Sequence, residues 1–398
     1  MLHILACALA GGLTIAALRP PPAAARSLAD LFSTPELVGL EMQPLGPALA
    51  NSVAGTYPVA SASASVTYVY NPRLESFERQ TGVLGPIIGE RAQSLGEHQI
   101  DVGLSYSFVH LSSINGHDLD DLVNAAQIDQ QVVSFPVPGG VMLADGSRST
   151  FLPVLVHADI DVEAEIFTPG VTYGFTPDFD VNLILPIVRT SLDVTADQQV
   201  PDPRLPAFAL PPDDPNEQRI VYKDYENSTG VGDLLLRGKY VLTRNLPVDL
   251  AAQLGASFPT GDEDDFQGTG TYRMQPALIM SKVLAERFEP LLNLGLDINA
   301  NHGDRSSFRW VVGSTAHLVR NLHGALVFLG RNEFSAQSNE IEPPFFLQIE
   351  RNDIYNVSIG LRYLFAGSAA VSANVIVPLN DQGLRADAIP TFAMEYAW

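Results

Sequence analysis

The chain closes on Pro390-Thr391-Phe392-Ala393-Met394-Glu395-Tyr396-Ala397-Trp398, apolar at the even positions and mostly small or polar between them. Side chains along a strand point alternately to opposite faces, so this stretch reads as a strand with one greasy face and one face carrying Glu395. Left open to water, such an edge invites aggregation. In a bacterial outer-membrane barrel it is the expected closing strand, with Tyr396 and Trp398 at the membrane interface and Glu395 turned toward a polar lumen.

The same period of two recurs upstream. Ile100, Val102, Leu104, Tyr106 and Phe108 share one face of residues 99–111. Val154, Val156, Ala158, Ile160, Val162, Ala164 and Ile166 follow, and the pattern resumes as Val171, Tyr173 and Phe175 after Thr168-Pro169-Gly170. Pro and Gly mark strand irregularities, so one long strand with a bulge at that point is expected. Val181 to Ile187, then residues 230–242, 248–258, 272–280, 292–298, 308–316, 324–329, 355–365 and 371–377 continue the march to the closing strand. That predicts about twelve strands, each near the ~9–11 residues that cross a bilayer at a tilt, and an even number suits a bacterial single-chain barrel.

Connection lengths test the same reading. Short turns are expected near Asp178, Asn245, Arg287, Asn321 and Gly367; long connections fall around 111–150, 196–229, 259–270, 301–306, 335–352 and 380–388. Outer-membrane barrels have short periplasmic turns and long outer loops. Traced from a periplasmic start, every long connection falls outside and Trp398 returns to the periplasm. A soluble β-sandwich also alternates, but its polar face meets bulk water and carries many lysines. Here that face holds small residues, Asp, Asn, Gln, His and Arg.

Bulk composition narrows the function classes. The 398 residues carry a formal net charge of -22, yet 46% are hydrophobic, which argues against disorder. An acidic chain is also a poor match for nucleic acid, whose affinity comes from Lys and Arg on phosphates. Cys7 is the single cysteine, so the chain beyond the leader has no disulfide, thiolate metal site or cysteine nucleophile. Residues 4–18 are apolar, and Ala23-Ala24-Ala25 before Arg26 supplies small residues for cleavage, which predicts a secretory leader over 1–25. No other stretch reaches ~18 apolar residues. Residues 26–97 then form an N-terminal extension that lies in the periplasm, plugs the lumen or adds a strand, and 98–398 form the barrel.

Candidate functional residues follow from the polar phase. His157, Asp159, Asp161, Glu163 and Glu165 share one strand face and are expected to line the lumen, together with Arg237, Lys239, Arg273, Arg309, Arg362 and Glu395. On the lipid face a charge costs roughly 2–4 kcal/mol at midplane for Lys or Arg, somewhat less for a carboxylate. The set reads either as a charge-paired interior that holds shape and water or as a polar track that filters solutes. An apolar niche is expected among Ile184, Val188, Leu235, Leu291 and the N-terminal segment, with residues 201–215 and 262–270 shaping the mouth. The acidic runs Asp118, Asp120, Asp121 and Asp262 to Asp265 lack the spaced ligands and glycine of a calcium loop, so no metal site is expected. His157 and His317 have lumen-phase positions, but no serine is marked as a hydrolase partner. Phosphate loop, zinc motif and dinucleotide fingerprint are all missing, so no enzyme and no cofactor are expected.

Several segments resemble the outer-membrane transporter family named for the meta-cleavage (MetA) pathway of phenol degradation. They are Leu84-Gly85-Pro86-Ile87 with Glu90-Arg91-Ala92 and Leu95-Gly96, Tyr173-Gly174-Phe175-Thr176 with Asp180 and Leu185-Pro186, Gly232-Asp233 with Leu236-Arg237-Gly238-Lys239-Tyr240, and Phe258-Pro259-Thr260-Gly261 with Gly268 and Gly270. The resemblance spans roughly residues 65 to 398. It implies an outer-membrane barrel for aromatic or other small apolar molecules and carries over no site residue. The expected partners are outer-membrane lipid and lipopolysaccharide, the barrel-assembly machinery at the C-terminal strand, and a small solute. A sealed structural or adhesion-type barrel and an outer-membrane lipid hydrolase are the competing readings.

Overall fold

The computed structural model describes residues 27–33, 67–71, 76–80, 84–123, 134–142, 148–153, 155–199, 219–244, 246–285, 287–335, 353–365 and 368–398. The expected leader over 1–25 and the Pro-rich connection over 201–215 lie outside these residues. Twelve antiparallel strands close into a transmembrane barrel. They are β1 (Ile100–Ile114), β2 (Leu155–Thr176), β3 (Phe179–Ile184 and Ile187–Gln199), β4 (Arg219–Val231 and Leu234–Thr243), β5 (Asp249–Phe258), β6 (Arg273–Ser281), β7 (Phe288–Asn299), β8 (Ser307–Val319), β9 (Leu322–Glu333), β10 (Ile354–Phe365), β11 (Ala369–Pro378) and β12 (Ile389–Ala397). Closure comes where β12 meets β1, with Phe392 opposite Tyr106 and Tyr396 opposite Val102. Its even residues face outward and its odd residues inward.

Alternation is explained by what each face meets. Outward Val102, Tyr106, Leu183, Leu236, Leu254, Phe328, Ile359, Leu361 and Met394 are exposed and form an apolar belt. Inward positions at the same level are small or polar: Ser105, Ser107, Thr172, Asn182, Asn293, Ser358 and Asn374 are all buried.

At the long-loop end of β1 to β4 the two faces exchange polarity without exchanging direction. β2 has 22 residues, about twice a bilayer crossing, and its inner face runs from Thr172 and Thr168 to Ile166, Ala164, Val162, Ile160 and Ala158 in unbroken parity. Its pairing with β1 is continuous from Ile100↔Tyr173 to Leu111↔Val162, so the expected bulge at Thr168-Pro169-Gly170 is not there. Strands that rise past the belt put water outside, so the outer face turns polar and the enclosed face turns apolar. Val109, Leu111, Ile160, Val162, Leu192 and Val194 pack there into the main apolar core.

The fourth strand begins at Arg219 rather than near residue 230, so much of the connection expected over 196–229 is strand. β3 breaks at Leu185-Pro186 and β4 breaks opposite, at Gly232-Asp233. Pro186 has no N–H to give. Its carbonyl accepts from Gly232 N at 2.8 Å, which keeps the wall hydrogen-bonded across the break.

Candidate functional site

Residues 84–98 enter the lumen at the short-turn end, reach its middle at Ile88 to Glu90, and return to the start of β1. They form no strand, so lumen side chains satisfy their backbone groups. Arg362 donates to the Gly85 carbonyl at 2.6 Å on the way in. Asn293 accepts from Glu90 N at 2.7 Å and donates to Glu90 O at 2.8 Å, so one amide takes both groups. Ala92 N donates to Ser281 Oγ, and Leu95 N donates to the Asp180 carboxylate. On the way out, His98 N donates to Gly174 O at 2.8 Å and Gly174 N to Gln99 O at 3.0 Å. Gly89 turns the segment at φ +87, a conformation that costs a Cβ-bearing residue dearly, with Val311, Asn293 and Leu291 crowding the space a side chain would need.

Ion pairs fasten the segment to the wall. Arg91 meets Glu289 at 2.6 Å with both side chains fully buried. Arg237 reaches Glu90 at 3.3 Å, and Lys239 lies 3.6 Å from Asp180 while donating to Arg91 O. Arg362 holds Glu395 at 2.7 Å. Higher in the lumen, Asp297 joins Arg273 at 2.8 Å and Arg309 at 3.3 Å, and Arg331 faces Glu333 at 3.7 Å.

The long-loop end is closed by a cap. A short 3-10 helix, Ala29–Ser33, puts Leu28 and Leu31 into the apolar core beside Phe266, all three fully buried. The acidic loop is part of this cap. Asp265 accepts from Leu28 N and Ser228 Oγ, Asp264 O accepts from Ala29 N, and Asp233 anchors the far side through Gly261 N and Thr269. Burial, reinforced by the charges of Asp262, Asp30 and Asp265, lifts the Asp264 carboxyl above the ordinary carboxylate range.

Among the described residues, cavities lie between the segment, the cap and the wall. One of about 240 Å³ sits above Ile88 to Glu90 and against β4 to β12. One of about 110 Å³ reaches the β3–β4 break and shares Gln275, Arg309 and Arg331 with the first. One of about 60 Å³ lies by β1, β2 and β12 and shares Ile88 with the first, Thr168 and Ile184 with the second.

Of the residues expected to line the lumen, the structure places Arg237, Lys239, Arg273, Arg309, Arg362 and Glu395 inside. It turns His157, Asp159, Asp161, Glu163 and Glu165 outward, on the water side of the β2 extension, which corrects the expected acidic lumen row. Their surroundings are outward neighbours: Arg189 pairs with Glu165 at 3.3 Å, His110 lies 3.1 Å from Asp161, and Tyr106 donates to Glu165. Ligand atoms of His110, Asp161 and Glu163 all lie within 4.8 Å of one another on this exposed face. Burial, then the charges of Asp120, Asp193 and Asp161, raise the Asp159 carboxyl. His317 stands at the short-turn rim with its ring 5.0 Å from that of His323. Ile184, Val188, Leu235 and Leu291 are buried inside, the first three against the 110 Å³ cavity.

Sequence reasoning missed Asp297 as a lumen group although it sits on the polar phase of a recognised strand, and missed Glu289, Arg331 and Glu333 because their strands run beyond the expected 292–298 and 324–329. It missed Arg385 because that residue lies in a short strand, Leu384–Ala386, inside an expected loop.

The model of the family described as "Putative MetA-pathway of phenol degradation" matches residues 144–383. The chain belongs to this family. The matched part of this family member runs from the approach to β2 through β11 and takes in Arg237, Arg273, Arg309 and Arg331, but leaves out Arg385, residues 84–98 and the closing strand. No curated protein matches it. Among solved structures it is similar to an outer membrane channel from Pseudomonas putida F1, at 11% identity over 77% of this chain and 98% of that one, with a TM-score of 0.47. A Pseudomonas aeruginosa FadL homologue matches at 10% identity over 87% and 98%, TM-score 0.37, and the P. putida toluene transporter TodX at 10% over 76% and 89%, TM-score 0.34.

Proposed function

We propose that the protein is an outer-membrane channel that passes small solutes, aromatic or apolar compounds among them, through the barrel lumen by diffusion. The observation that carries this reading is the run of cavities inside a polar lumen, bounded by the segment 84–98 on one side and the Phe266 cap on the other. The short-turn end would face the periplasm and the long-loop end the outside. A solute entering past the cap meets the 110 Å³ cavity beside Gln267, Gly268 and Thr269, passes to the 240 Å³ chamber that shares Gln275, Arg309 and Arg331 with it, and leaves past Ile88 to Glu90, so passage requires small movements at both ends. The family's link with phenol degradation and the transport of toluene by TodX agree with a small aromatic cargo.

A sealed structural barrel is favoured by one feature, the fully buried Arg91–Glu289 pair that fixes the segment. Reconstitution separates the two. The channel reading expects low single-channel conductance in planar bilayers and uptake of phenol-sized solutes by liposomes; vesicles that show neither support the sealed barrel.

A further inference from the structure

We propose that the 240 Å³ chamber binds a small organic anion with a flat apolar body, an aryl carboxylate. This deepens the channel reading and rests on it for how the solute arrives. In a chain of net charge -22, this chamber is lined by the guanidiniums of Arg237, Arg309, Arg331 and Arg385 and by a single carboxylate, Glu90. Three of the arginines are braced by acids: Arg237 by Glu90 itself, Arg309 by Asp297 and Arg331 by Glu333. A guanidinium carries five N–H donors in a planar fork, so the contact of Arg309 with Asp297 leaves donors to spare.

Arg385 supplies the observation that points to a ligand. Its side chain comes from the long-loop end and is 4% exposed. It donates to Asn356 and Asn380, while its Nε is buried with no hydrogen-bond partner among the described residues. Asp381 acts on it electrostatically from the rim. Buried donors without acceptors are rare and costly, and an anion at this level would relieve that cost.

The rest of the wall sets the body of the ligand. Ile88, Ile279, Val311, Leu329, Ile376 and Ile389 give an apolar lining beside the guanidiniums. Pockets for drug-sized ligands run to about 300–1,000 Å³, so 240 Å³ suits a single ring bearing one charged group. A neutral hydrocarbon would leave the guanidiniums facing a surface that accepts nothing, and a bare inorganic anion would leave the apolar wall unused.

The test is calorimetric titration of the full barrel in detergent with three probes: benzoate, benzyl alcohol and acetate. Benzoate is expected to bind at least tenfold more tightly than either of the others. Arg385→Gln, checked for folding by its heat-dependent gel migration, is expected to weaken benzoate at least fivefold and leave benzyl alcohol unchanged. Equal binding of benzyl alcohol or of acetate overturns the proposal, as does an absence of binding by all three, and these comparisons need only the wild-type chain. Conductance without benzoate binding removes this site and keeps the channel; benzoate binding in a barrel that does not conduct keeps the site and removes the channel.

Discussion

Arg91 and Glu289 are the plainest case of a lumen contact whose energetics can be read at the level of single residues. Both side chains are fully buried, and Nε and Nη2 of Arg91 engage the two carboxylate oxygens at 3.2 and 2.6 Å. Removing both charges from water is expensive, and their mutual contact offsets much of the cost. Truncating one partner therefore strands the other. Arg91→Met and Glu289→Met are each expected to cost about 3–5 kcal/mol, while the double variant recovers most of the loss. Urea unfolding followed by gel migration measures all three; single-variant costs below ~1 kcal/mol would mean that water reaches the pair. Glu289 keeps the odd-numbered polar phase of the strand recognised over 292–298, three residues before its expected start. Arg91 has no such signal, because its segment has no period and its contact depends on a tertiary path through the lumen.

Among the elements, the segment 84–98 depends on how it leaves the lumen. Gly174 forms two backbone hydrogen bonds with the exit, and a Cβ there would lie 2.8 Å from the Gly96 carbonyl carbon and closer still to its oxygen. Backbone atoms cannot rotate aside, so Gly174→Ala must push the exit away from β2. Hydrogen exchange at residues 84–98 is expected to rise in this variant with the barrel strands unchanged, and an unchanged exchange pattern would show that the exit is not what holds the segment. The strands themselves were legible because alternation is written into each one: the twelve expected from period two are the twelve found. The face that each presents was less legible. A period of two gives the same signal whether greasy residues meet lipid or a protein core, so Ala158 to Ile166 and Val171 to Phe175 were reconciled by a bulge that the β1–β2 register excludes. The informative sign was length, since 22 residues at ~3.3 Å each far exceed a crossing of ~30 Å.

At the scale of the whole molecule, the belt and the extension are one continuous wall in two solvents, and this makes position along the outer face an energetic coordinate. Ile359 lies on the outer face of β10 within the belt and is 56% exposed. Thr195 lies on the outer face of β3 above it, between Asp159 on one neighbouring strand and Lys223 on the other. Arginine at the first position must reach headgroups or drag water inward, at a cost of roughly 2–4 kcal/mol near the midplane, falling toward 0–1 near the interfaces. At the second position it meets water, an acid and a lysine. Ile359→Arg is therefore expected to lower folding stability into lipid vesicles by about 2–4 kcal/mol, with Thr195→Arg within about 0.5 kcal/mol of the wild type. The comparison tests the polarity exchange itself. If the outward acids of β2 stood at membrane depth, Thr195→Arg would carry a penalty close to that of Ile359→Arg, and the belt would have to be redrawn to include Glu165, Glu163 and Asp161.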